Sequence, residues 1–197
     1  MENSNKERIL ITLLKEPLKK HTITSMASDL KISRPGIWKI LRKLQDEELI
    51  KLSSIGNGKT NAYIVNLNWQ NYLTEKTLEL ILTKEALKHK QWRFDFEKLE
   101  NLADFLILYG SILHTPKQAN DIDVLEAVSD KKRFAEINKI LLEIQKTQLK
   151  KIHLINLTPL ELNSEIQSQN NAFIDAIKKG IVLFGQDKFI KFIKELK

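Results

Sequence analysis

Asp121 and Asp123 stand one residue apart, and nine residues separate them from the pair Gly110-Ser111 in the stretch LILYGSILHTPKQANDIDVLEAV. In a strand, side chains alternate between faces, so the two carboxylates share one face while Ile122 and Val124 point to the other. Like charges that close raise one another's pKa unless a cation neutralises them. Paired carboxylate oxygens suit Mg2+ or Mn2+, ions that also bind nucleotide phosphates. A glycine at a strand end lets backbone approach a ligand, and the serine adds a hydroxyl and an N–H for a phosphate oxygen. The alternative is a solvated strand edge that merely carries charge.

These residues must be positioned by the elements around them. DFLILYGS reads as a buried strand and NDIDVLEAV as a second one. A helix KKRFAEINKILLEIQK, a strand KIHLINL, a helix LELNSEIQSQNNAFIDAIKK and a strand GIVLFG follow. YGS, nine residues and DID, set in this order of elements, resemble the nucleotidyltransferase superfamily related to DNA polymerase beta, and are closest to its minimal branch. The resemblance covers about residues 95–197. It implies transfer of a nucleoside monophosphate from an NTP to a hydroxyl of a protein, RNA or small molecule. In that family the Gly-Ser opens a helix that cradles the triphosphate, and the aspartates bind the metals that bridge it. Gly110 and Ser111 are therefore the implied nucleotide-binding residues. Asp121 and Asp123 are the implied catalytic and metal-binding ones, with Mg2+ or Mn2+ as cofactor.

The sequence departs from this family at one point. Active members carry a third carboxylate on the strand that here reads KIHLINL, which has no Asp or Glu. His153 and Asn156 stand in its place, and Glu161 or Glu165 could reach in from the next helix. His153 is either a metal ligand or proton acceptor, or a surface or packing histidine. His114 and Lys117, in the loop between the two motif parts, either touch phosphate or are solvated. Two functions follow: a metal-dependent nucleotidyltransferase, or a DNA-binding regulator whose degenerate domain binds nucleotide or dimerises without turnover.

The first seventy residues have a different pattern. NKERILITLLKEPL carries Ile9, Leu10, Leu13 and Leu14 at helical spacing, and TITSMASDL is a short second helix capped by Thr22 or Thr24. Ser33 is a suitable N-cap for RPGIWKILRKLQDEE, where Pro35 falls in the first turn. LIKLSS and NAYIVNL alternate as two strands around Gly56-Asn57-Gly58, a hairpin tip tolerant of positive φ. Residues 5–68 resemble a winged helix-turn-helix domain. That resemblance, with the width of the major groove, makes Arg34, Gly36, Trp38, Lys39 and Arg42 the candidate duplex-DNA residues, with Lys59 on a phosphate. The alternative is a solvated cationic face with Trp38 used in packing.

Composition sets the frame. The 197 residues carry a net charge of +7, and residues 1–70 hold 12 Lys and Arg against 7 Asp and Glu, so the excess is concentrated where a polyanion would bind. With no cysteine there is no disulfide, thiolate nucleophile or Cys-ligated zinc. No run of 18 apolar residues and no signal peptide is present, so a cytoplasmic protein is expected. Residues 69–103 lack Gly and Pro and read as helix almost throughout, a stiff link that also offers a homodimer surface. The predicted class is α+β: a winged helix-turn-helix domain (1–68), a helical connector (69–94) and a small nucleotidyltransferase-like mixed sheet flanked by helices (95–197).

Overall fold

The computed structural model describes residues 4–55 and 62–196. The protein is α+β and divides into two compact units, Met1–Ile81 with Ile193–Lys197, and Leu82–Phe192. No described helix is long and apolar enough to cross a membrane.

In the first unit, helices α1 (Asn5–Lys15), α2 (Ile23–Leu30) and α3 (Arg34–Asp46) precede an antiparallel hairpin of β1 (Ile50–Ile55) and β2 (Ala62–Leu67). Each helix starts where a hydroxyl accepts a hydrogen bond from a first-turn N–H. Ser4 accepts from Glu7, Thr22 from Ser25 and Ser33 from Gly36. Apolar side chains at helical spacing then meet in one core, where Ile9, Leu14, Met26, Ile37, Leu41 and Leu44 are fully buried. Burying each such side chain is worth about 1.5–3 kcal/mol, which the short helices need because they are too short to be stable alone. Near the end of the chain, Lys194 pairs with Glu75 at 2.6 Å and lies 5.9 Å from the Trp69 ring centroid. Gly56, Asn57, Gly58 and Lys59 lie outside the described residues.

The connector is less continuous than predicted. Helix α4 (Tyr72–Leu87) ends before Lys88-His89, and α5 (Lys90–Asp95) and a 3-10 turn at Glu97–Leu99 follow. Apolar residues recur on both sides of α4: Leu78, Ile81 and Leu82 are buried, while Leu73, Leu80 and Leu87 are exposed.

The second unit is built on a four-stranded sheet in the order β5-β4-β3-β6. Its strands are β3 (Phe105–Tyr109), β4 (Asp121–Ala127), β5 (Lys151–Leu157) and β6 (Ile181–Phe184). β3 runs antiparallel to both β4 and β6, and β4 runs parallel to β5, so the sheet is mixed. One face carries Leu106, Leu108, Ile122, Val124 and Ile152, which pack with Ile137 and Ile144 of α6 (Phe134–Gln145) and with Phe96. On the other face Phe105 meets Phe189 and Phe192 of α9 (Gln186–Glu195), with ring centroids 5.4 Å apart in both cases. Burial on that face falls towards Tyr109, which is only partly covered.

Two departures from the predicted elements have local causes. The single helix expected over 160–179 is two, α7 (Pro159–Gln167) and α8 (Asn171–Lys179). Gln169 turns left-handed at φ 59°, and Asn170 caps α8 by accepting from Ala172 N while donating to Glu165 Oε2 at 2.7 Å. Such side chains favour caps over helix interiors because they compete for backbone hydrogen bonds. Helix α9 was not foreseen, although Phe189, Ile190, Ile193 and Leu196 recur at helical spacing.

Candidate functional site

Strand register assembles the site. Asp123 is paired with Tyr109 on one side and His153 on the other, and Asp121 is paired with Lys151. Cross-strand partners share a face, so Tyr109, Asp121, Asp123, Lys151 and His153 project together from one face, where each is partly or fully exposed. His153 Nδ1 lies 3.3 Å from Asp121 Oδ2 and 3.9 Å from Asp123 Oδ1. One ligand atom from each of the three residues falls within 4.8 Å of the others.

Gly110 makes this clustering possible. It ends β3 at φ +82°, and a Cβ there would collide with the Asp123 carboxylate, whose Oδ2 occupies that space. Any side chain at this position is strained by the backbone angle and has to displace the carboxylate behind it. Ser111 follows on the exposed surface, and its carbonyl accepts from His114 N at 3.0 Å and Thr115 N at 2.8 Å. The helix implied at Ser111 is a single 3-10 turn, Ser111–Leu113, because Pro116 lacks an N–H and biases Thr115 away from helical backbone. His114 and Lys117 are exposed on the loop that follows.

The electrostatics are those of an under-neutralised anion site. Burial pushes the Asp123 carboxyl up, Asp121 adds to the rise, and His153 opposes it. Burial likewise raises the Tyr109 phenol, with further contributions from Asp123 and Asp121. The donor set fits a divalent ion. Bonds of about 2.1 Å put ligand atoms about 3.0 Å apart at right angles and about 4.2 Å apart across the ion. The two distances from His153 Nδ1 fall between those limits. Asp121, Asp123 and His153 are the residues that would hold such an ion.

Two other candidates lie elsewhere. Asn156 is on the opposite face, in register with Glu126, and its Nδ2 donates to Asn138 Oδ1 at 3.4 Å. It stands three positions from His153, an odd step along a strand, so the two cannot share a face. Glu161 closes the capping box of α7 with Thr158 and pairs with Lys131 at 2.5 Å, and Glu165 accepts from Asn170. Neither glutamate enters the cluster. Lys151 and Tyr109 were missed by the sequence reading. The period-two pattern of KIHLINL could have placed Lys151 beside His153, whereas Tyr109 needed the pairing of β3 with β4.

In the first unit, α3 exposes Arg34, Lys39, Arg42 and Lys43, while Trp38 is half-buried. The Trp38 ring lies 5.4 Å from that of Tyr63 on β2, and the Arg42 guanidinium sits 5.5 Å from the indole centroid. Trp38 thus packs against the hairpin as well as bordering the cationic face. Gly36 faces Ser33 and Ile32 in the turn before the helix, where a Cβ would be tight. Lys59 lies outside the described residues.

No family model and no curated protein matches the chain. Among solved structures, two variants of Lactococcus lactis ZitR, one a double mutant in the apo form and one a single mutant, are similar at 20% identity and a TM-score of 0.31. The alignments cover 72% and 75% of this chain and 80% and 79% of the ZitR chains. A likeness that slight fixes neither fold nor function.

Proposed function

We propose that the protein is a DNA-binding nucleotidyltransferase. It would move a nucleoside monophosphate from an NTP to a hydroxyl acceptor at the face formed by Tyr109, Gly110, Ser111, Asp121, Asp123 and His153. The observation that carries this reading is the convergence of Asp121, Asp123 and His153 beside a glycine whose missing side chain makes room for the Asp123 carboxylate. Asp121, Asp123 and His153 would hold the divalent ion, which supplies positive charge to the polyphosphate when bound. Ser111 offers its hydroxyl and backbone N–H to a phosphate oxygen, and Lys151, beside Asp121, adds a cation on the same face. The acceptor oxygen bonds to the α-phosphorus, the bond to the bridging oxygen breaks, and pyrophosphate leaves. The hydroxyl proton passes to solvent water. No covalent intermediate is needed, since positioning and charge neutralisation do the work.

The DNA-binding half rests on the first unit. Three helices followed by a hairpin, with Arg34, Lys39, Arg42 and Lys43 exposed on the third helix, support the winged helix-turn-helix reading. That helix would lie in the major groove, with Arg34, Lys39 and Arg42 towards the duplex.

A second reading has its own observation. His153 stands where active relatives carry an acid, and its Nδ1 is 3.3 Å from Asp121. A regulator that binds nucleotide without turnover accounts for that replacement. The test incubates the protein with each labelled NTP, Mg2+ or Mn2+ and candidate acceptors, beside an Asp121→Asn/Asp123→Asn variant. Transfer that falls on the order of 10³-fold in the variant supports the enzyme. Nucleotide binding that depends on the aspartates, without transfer, selects the regulator, and binding that ignores them removes both.

A further inference from the structure

Replacing an oxygen donor by an imidazole has a consequence for which ion the cluster takes. Asp121 and Asp123 contribute hard carboxylate oxygens, and His153 contributes a borderline nitrogen from the neighbouring strand. Mg2+ requires near-octahedral oxygen ligation and gives up water reluctantly, so a nitrogen in its first shell is a poor exchange. First-row transition ions accept imidazole readily, and their affinities for mixed nitrogen and oxygen sites rise along the series from Mn2+ towards Cu2+.

The geometry favours His153 as a ligand over a bystander. It is directly opposite Asp123 in the parallel β4-β5 ladder, and the backbone of both strands is tied on either side of this pair. Its Nδ1 faces the carboxylate oxygens at 3.3 and 3.9 Å, so its donor already points to the centre of the cluster. The three donors come from two adjacent strands. No described Asp or Glu stands on β5 to offer an all-oxygen alternative.

We infer that His153 tunes this site towards a first-row transition ion of the Mn2+ to Zn2+ series and away from Mg2+. The inference rests on the metal-nucleotide reading above and adds the class of ion to it.

The test uses the full-length protein without nucleotide. Affinities for Mg2+, Mn2+ and Co2+ are measured by calorimetry for the wild type, His153→Asp, His153→Asn and Asp121→Asn/Asp123→Asn. The Co2+ form is also examined by NMR. His153 is exposed on its strand, so both of its variants keep the fold. The wild type is expected to prefer Mn2+ and Co2+ to Mg2+ by about 100-fold or more. Bound Co2+ should give a hyperfine-shifted, solvent-exchangeable imidazole proton. His153→Asp should narrow the preference by about tenfold or more and, like His153→Asn, abolish the shifted proton. An unchanged preference in His153→Asp, or no shifted imidazole proton in the wild type, overturns this inference and leaves the metal site standing. Affinities that are the same in the double aspartate variant overturn the metal site itself.

Discussion

Strand β4 places carboxylates on both faces of one sheet, and their surroundings differ sharply. Asp121 and Asp123 share the open face with His153 and Lys151, where opposite charge and solvent meet them. Glu126, three residues beyond Asp123, is fully buried on the α6 side, and neither of its oxygens has a hydrogen-bond partner among the described residues. Burial alone pushes the Glu126 carboxyl up to about 8, so it is held as the neutral acid. The same side chain chemistry thus yields a solvent-facing carboxylate pair on one face and a hidden acid on the other. What separates them is the availability of a counter-charge.

The largest expected effect comes from breaking the buried side of this comparison. Glu126 has a folded pKa of about 8 against an ordinary 4.5, so the native state retains a proton that the unfolded state has lost. Its contribution is fully present below the ordinary value and is lost as pH rises to about 8, at up to roughly 1.4 kcal/mol per pH unit. Glu126→Met should flatten the decline and raise stability at pH 8 by roughly 2 kcal/mol in urea titrations. A decline of unchanged slope would show that Glu126 is not the group responsible.

Gly110→Ala acts on the open face. The left-handed backbone and the displaced Asp123 carboxylate should together cost about 1–3 kcal/mol of stability. Mn2+ affinity should fall as well, because one ligand oxygen is pushed aside. Thermal unfolding and Mn2+ titration of the variant check both. Loss of stability with intact Mn2+ affinity would separate the glycine from the site.

This contrast between faces was only partly legible in the sequence. The alternation of DIDV and the limits of KIHLINL follow from period-two patterning alone, and β5 runs over the predicted residues. Which residues of β5 meet which of β4 depends on register, a tertiary property. For that reason Asn156 was placed beside His153 although it faces Glu126. The helix implied at Ser111 was carried over from the family resemblance, and Pro116 argues locally for the shorter turn. The break between α7 and α8 lay in Ser168, Gln169 and Asn170, residues that a purely apolar periodicity passes over. The burial of Glu126 is likewise not announced by its sequence neighbours.

The smallest effect lies in the other unit and acts as a control on the comparison. Lys39→Ala and Arg42→Ala should each weaken duplex DNA binding by about 1 kcal/mol. Each should lower the slope of log affinity against log salt by about one. Neither substitution should alter Mn2+ affinity or the pH dependence set by Glu126. An unchanged salt slope in the double variant would remove α3 as the DNA-facing helix.

The central claim is that Asp121, Asp123 and His153 form one metal-binding site. Its most direct test is equilibrium Mn2+ binding, read from the paramagnetic resonance of the free ion, to the wild type and to Asp121→Asn/Asp123→Asn. The account predicts saturable binding in the wild type that the double variant loses. Binding of equal strength and stoichiometry in the two proteins, or none in either, would contradict it.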